Sequence, residues 1–108
     1  MRLKVALLTA VSCVGIALPA SADSTRARCE YYHKGEDRVE VWMPCTFSQR
    51  QGNVSIQWED GVRNEFRLTD ANTYVDQRGG KVYRDNKGLG EIGTIFRMEQ
   101  GSIFVYWK

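Results

Sequence analysis

Apolar and polar residues alternate along most of this chain with a period of two. In "RVEVWM", Val39, Val41 and Met43 alternate with Arg38, Glu40 and Trp42. That spacing sends successive side chains to opposite faces of a strand. The stretch "NVSIQWEDGVRNEFRL" is the clearest unit. Val54, Ile56 and Trp58 fall on one face, with Ser55, Gln57 and Glu59 on the other. Asp60-Gly61 then marks a hairpin turn. Val62, Phe66 and Leu68 resume the apolar face, with Asn64 as its one polar interruption, and Arg63, Glu65 and Arg67 read as the solvated side.

Two shorter pieces, "TYVD" and "KVYR", predict strands joined through "QRGG". The end of the chain, "IGTIFRMEQGSIFVYWK", predicts a hairpin turning at Glu99 to Ser102. In its last strand Ile103, Val105 and Trp107 alternate with Phe104 and Tyr106. After residue 22 no segment keeps helical spacing over ten residues. Pro44, which lacks an amide donor, suits a strand edge or bulge. The pattern predicts an all-β, single-domain antiparallel fold of about six to eight short strands, either a small barrel or a two-layer sandwich.

The first residues are of another kind. Arg2 and Lys4 precede an uncharged, mostly apolar run from Val5 to Leu18, followed by Pro19 and the small residues Ala20-Ser21-Ala22. This is the layout of a secretory signal peptide, and it predicts cleavage after Ala22. The run is too short for a membrane anchor, since a spanning helix needs roughly 20 apolar residues. A lipid on Cys13 would require a polar mature chain after it, and an apolar stretch follows instead. The reading is therefore a signal peptide over 1–22 and one β domain over 23–108, placed in the periplasm or secreted.

Cleavage changes both charge and cysteine content. The leader holds two of the 15 basic residues and none of the 13 acidic ones, so the exported chain is balanced at 13 against 13. A neutral chain with interspersed signs lacks the basic surface that nucleic acid or an anionic membrane would select. Cys29 and Cys45 remain, an even pair in an oxidising compartment, and are expected to form a disulfide. Closing a loop of that size stabilises by roughly 3 kcal/mol in the chain-entropy model. A nucleophilic Cys45 would need a base, and His33 is the only histidine. A metal site would need more ligands than two Cys and one His supply at these spacings. No cofactor and no metal are expected.

Other motifs lose force in context. "GLGEIG", Gly88 to Gly93, matches G-x-G-x-x-G, but that fingerprint works between a buried strand and a helix, and here a β-like "TIFRM" follows. It reads as a long turn whose glycines accept positive φ. "NVS", Asn53 to Ser55, is an incidental glycosylation sequon at the start of a strand. The carboxylates Glu59, Asp60, Asp70, Asp76, Asp85 and Glu91 mostly sit in turn signals, where Asp bonds its own backbone.

Aromatic residues are the richest feature of the mature chain. Most must form the core, yet Trp42 alternates with Val41 and Tyr106 with Val105, so some face outward. Exposed Trp and Tyr beside Arg suit recognition of protein or glycan. The "SQRQGN" segment, Ser48 to Asn53, follows Cys45 and is dense in hydrogen-bonding groups. Gln49, Arg50 and Gln51 are expected to form a binding loop there, together with Arg78, Gly80 and Tyr83 of "QRGGKVY" if the two loops share one end of the fold.

The pieces "PCTFSQRQG", "GLGEIGTIFR" and "SIFVYW" resemble a group of small exported bacterial proteins of no assigned activity, over roughly Arg28 to Trp107. The segment "GGKVYRD", Gly79 to Asp85, is more distantly similar to the inhibitory loop of periplasmic C-type lysozyme inhibitors of the MliC/PliC kind. That resemblance implies a disulfide-stapled β-barrel with Gly80 and Tyr83 in the inhibitory loop. The chain departs from it by having Gly79 where Ser is usual, a bridge between cysteines close in sequence, and a neutral balance where a basic target would favour negative charge. The expectation for function is an exported, non-enzymatic binding protein of the bacterial envelope with a protein or glycan partner. The alternative is an inhibitor of a C-type lysozyme or another cell-wall hydrolase.

Overall fold

The alternation resolves into eight antiparallel strands in the computed structural model, which describes residues 23–108. The leader and Cys13 lie outside the described residues. The strands are β1 (Asp23–His33), β2 (Val41–Arg50), β3 (Asn53–Trp58), β4 (Arg63–Asp70), β5 (Thr73–Val75), β6 (Lys81–Asp85), β7 (Gly93–Arg97) and β8 (Gly101–Tyr106). Each pairs with the next, and β8 pairs with β1 to close a barrel. Closure removes the free sheet edges that a sandwich of this size would leave. Of the two architectures the pattern allowed, the barrel is the one formed.

The inward residues follow the predicted alternation. Cys29, Cys45, Phe47, Val54, Ile56, Trp58, Phe66, Tyr74, Val82, Phe96, Ile103 and Val105 form one buried cluster. Asn64, the polar interruption in β4, also points inward, and its Oδ1 accepts the Trp58 indole N–H at 2.7 Å. A buried indole needs such an acceptor, so Asn64 belongs to the core pattern as Trp58's partner. Leu68 and Val62, expected on the apolar face, remain 40% and 55% exposed because they lie at the ends of the barrel wall.

The segment before Val41 differs from expectation. Arg38 to Glu40 belong to the connection 34–40, and β2 begins only at Val41. The first strand, β1, carried too weak a signal to be read in sequence. Only Ala27, Cys29 and Tyr31 mark its inner face, against a polar outer face. Its register is nonetheless well fixed, with Ala27 opposite Cys45 and Cys29 opposite Met43. That diagonal brings Cys29 and Cys45 within 5.8 Å between Cα atoms, and they form the expected disulfide, fully buried inside the barrel.

Pro44 sits within β2 opposite Arg28. Its carbonyl accepts the amide of Glu59, one residue past the end of β3. In an antiparallel strand the N and C=O of a residue face the same neighbour. The missing donor of Pro44 therefore faces Glu59 just past the end of β3, so only the last pair of that ladder is left with a single bond.

Gly52 and Gly93 are among the positions that require glycine. Gly52, at φ 85°, follows Gln51 at φ 53°. Together they make the two-residue turn between β2 and β3 whose central residues both need positive φ. Gly93 is extended, but a Cβ there would lie 2.0 Å from the Val105 carbonyl oxygen. The "GLGEIG" segment is a turn ending in a single 3₁₀ turn, Gly90–Ile92, that leads directly into β7.

Candidate functional site

Barrel topology decides which sequence candidates can meet. Successive connections of an up-and-down barrel alternate between its two ends. The connections 34–40, 59–62, 76–80 and 98–100 lie at one end, and 51–52, 71–72 and 86–92 at the other. Arg50 and Gln51 are therefore at the opposite end from Arg78 and Gly80, and the combined site expected from sequence is not formed. The "SQRQGN" segment is also not a loop of six residues. Ser48 to Arg50 are strand, and the turn is only Gln51-Gly52.

Gln49 is drawn into the barrel mouth. Its Oε1 accepts Nη1 of Arg84 at 2.7 Å. Nε of Arg84 reaches Asn86 Oδ1 at 2.9 Å and Thr94 Oγ1 at 3.2 Å, and the guanidinium carbon lies 5.6 Å from the Phe47 ring and 5.4 Å from the Phe96 ring. Arg84 is thus a cationic plug held by neutral acceptors and ring faces, stapling β2, β6 and β7. Arg50 and Gln51 stay exposed, and among the described residues Arg50 makes no ion pair.

In the other candidate segment, Asp76 organises the turn. Its Oδ1 accepts the amides of Arg78 and Gly80 at 2.9 and 2.8 Å. A Cβ at Gly80 would come within 3.1 Å of that carboxylate, which gives this glycine a role in the turn itself. Tyr83 is half exposed on the outer wall of β6.

The outer wall of β8, β1 and β2 carries a feature that sequence reading only half caught. Trp42, Arg28, Glu30, Tyr32, Phe104 and Tyr106 all face outward on adjacent strands, with Glu30 between Trp42 and Phe104 and Arg28 opposite Tyr106. The Arg28 guanidinium lies 4.8 Å from the Tyr106 ring and 6.0 Å from the Trp42 ring. Its Nη2 bonds Glu30 Oε2 at 2.9 Å, and the Tyr32 hydroxyl donates to Glu30 Oε1 at 3.2 Å. Tyr32 packs on Phe104 at 4.7 Å, and Phe104 stacks with Tyr106 at 6.4 Å. Desolvation, and then the Glu30 carboxylate, raise the pKa of Tyr32 and of Tyr106, so both hydroxyls stay protonated through neutral pH. Trp42 is 60% exposed. Trp42 and Tyr106 were visible in sequence as outward aromatics. Arg28 and Glu30 were not, because β1 was unread and its register with β8 was unknown.

At the end framed by 34–40 and 59–62 the barrel opens into an apolar cup of about 230 Å³, lined chiefly by Tyr31, Val41, Trp58, Val62, Met98 and Ile103. Among the described residues, no group of three or more His, Cys, Asp and Glu side chains is placed to hold a metal ion. Compared with known proteins, the chain matches no family model, no curated protein and no solved structure.

Proposed function

We propose that this is an exported, non-enzymatic binding protein of the bacterial envelope, and that the Trp42–Arg28–Tyr106 strip with Phe104 and Tyr32 is its contact face. One observation carries the reading. A guanidinium is held between two aromatic rings on the outside of a barrel, with a carboxylate fixing it from below. Rings and an Arg already ordered in this way lose little conformational entropy on binding, and such residues dominate contact energetics. The ring faces suit a protein surface or the apolar face of an envelope sugar, while Arg28 and Glu30 offer donors and acceptors at the centre.

Export is supported by the leader-like sequence over 1–22 and by a buried disulfide compatible with an oxidising compartment. A binding role rather than catalysis is supported by how the Asp side chains are used. Asp60, Asp76 and Asp85 accept amides of their own turns. Asp85 is held below its usual pKa by the Lys87 and Gly88 amides, the opposite of what a general acid needs at neutral pH.

The test is retention of envelope partners. Tagged protein is incubated separately with detergent-solubilised envelope proteins and with sedimentable cell-wall glycan. Trp42→Ala and Arg28→Ala, checked for unchanged near-ultraviolet dichroism, are expected to lose the partner that the wild type retains. Undiminished retention by the double variant would remove the strip from consideration.

A further inference from the structure

We infer that the cup at the end of the barrel is a second docking site, and that it takes a basic segment of a partner polypeptide with one apolar side chain seated in the cup. This surface is separate from the aromatic strip and does not depend on it.

The lining comes first. Tyr31 and Trp58 spend their polar atoms within the fold. The Tyr31 hydroxyl donates to the Gln100 carbonyl at 3.2 Å, and the Trp58 indole N–H donates to Asn64 at 2.7 Å. What they present to the cup is ring surface, completed by Val41, Val62, Met98 and Ile103. Val62 and Val41 are 55% and 39% exposed, so this apolar wall stands in water. The floor is rigid, because Cys45 of the disulfide stands directly opposite Trp58. At about 230 Å³ the cup is smaller than the roughly 300–1,000 Å³ that small-molecule sites occupy. It matches a single large side chain.

Charge then selects the occupant. The connection 34–40 holds three carboxylates against two cations, 59–62 two against none, 76–80 one against one, and 98–100 one against none. None of those carboxylates is in an ion pair among the described residues. Seven carboxylates against three cations make this mouth acidic, although residues 23–108 as a whole are balanced. Burial, and then the Glu40 carboxylate, hold the Tyr31 hydroxyl above its usual pKa. A partner bearing Lys or Arg on both sides of an apolar anchor meets more carboxylates than cations around this mouth, whereas acidic segments, nucleic acid and anionic lipid are disfavoured.

The experiment uses three fluorescein-labelled peptides against the oxidised exported protein. One has a central leucine flanked by lysines, one has glycine in place of the leucine, and one has glutamates in place of the lysines. The lysine–leucine peptide is expected to raise anisotropy saturably and to weaken as salt screens the mouth. The glycine and glutamate peptides are expected to bind at least about ten-fold more weakly, a difference of about 1.4 kcal/mol. Val62→Ser keeps every charge and should act like loss of the leucine. A Glu40→Gln, Glu99→Gln variant keeps the cup and should act like loss of the lysines. All three sequence changes fall at exposed or turn positions, and near-ultraviolet dichroism verifies the fold. Equal binding of the glutamate peptide, or an unchanged affinity in the Gln variant, overturns the basic partner. Indifference to Val62→Ser overturns the cup as the seat, and absence of binding by the lysine–leucine peptide at millimolar concentration overturns both.

Discussion

Arg84 donates from Nη1 to Oε1 of Gln49 at 2.7 Å, joining β6 to β2 across one mouth of the barrel. Among the described residues the guanidinium pairs no carboxylate, and its stability comes from neutral acceptors and from the faces of Phe47 and Phe96. Arg84→Ala should lower unfolding free energy by about 2 kcal/mol, in line with hydrogen bonds to charged groups. Arg84→Lys should recover only part of that, because an ammonium cannot reproduce the planar fork. Urea titration of the three proteins measures both effects, and a neutral Arg84→Ala would mean that the plug contributes nothing.

The buried disulfide gives a second expectation. Cys29 and Cys45 should resist maleimide in the native protein, since both are fully buried. Replacing both with Ser should cost about 2–5 kcal/mol, as for native bridges in small secreted domains. Rapid labelling without reductant would show that the pair is not oxidised in the isolated protein.

Gly93→Ala tests the closest backbone approach in the barrel. The added methyl would meet the Val105 carbonyl at 2.0 Å, and a carbonyl in a sheet ladder has little room to yield. Destabilisation of about 3 kcal/mol is expected, at the upper end of overpacking effects. Thermal melts would show it, and a variant melting with the wild type would contradict the register of β7 on β8.

The turn after β6 should loosen in acid. Asp85 is held below its usual pKa, first by the Lys87 and Gly88 amides and then by Arg97. A carboxyl with a depressed folded pKa contributes its stability above the unfolded value, and loses it as pH falls through the folded value. The protection factors of the Lys87 and Gly88 amides, corrected for the intrinsic pH dependence of exchange, should therefore hold at neutral pH and fall once the pH drops below the ordinary carboxylate range. In Asp85→Asn the pH dependence should flatten.

Lysozyme inhibition, the competing proposal, makes a contrary prediction. Gly80 serves the Asp76 turn, which leaves Tyr83 as the exposed aromatic of its segment. The expected outcome is unchanged lysis of peptidoglycan by a C-type lysozyme at protein excess. Suppression that Tyr83→Ala relieves would instead establish the inhibitor.

Sequence alone determined the strands whose alternation is strong. Val54, Ile56, Trp58 and Phe66 turn inward because a pleated strand leaves them no other face. The disulfide was legible too, since residues 23–108 hold only two cysteines and so allow only one pairing. β1 escaped because its outer face is as polar as a loop and its inner face has too few apolar residues to set a period. Only the tertiary structure could decide the rest. Whether two connections share an end depends on how many strands lie between them, and once neighbouring strands pair in order around the barrel, the three strands β3, β4 and β5 put Arg50 and Arg78 at opposite ends. The contacts of Arg28 with Trp42 and Tyr106, and the concentration of carboxylates around one mouth when residues 23–108 balance 13 basic against 13 acidic side chains, depend on pairing between residues far apart in sequence. No local pattern encodes that pairing, because register is fixed by the packing of the whole core.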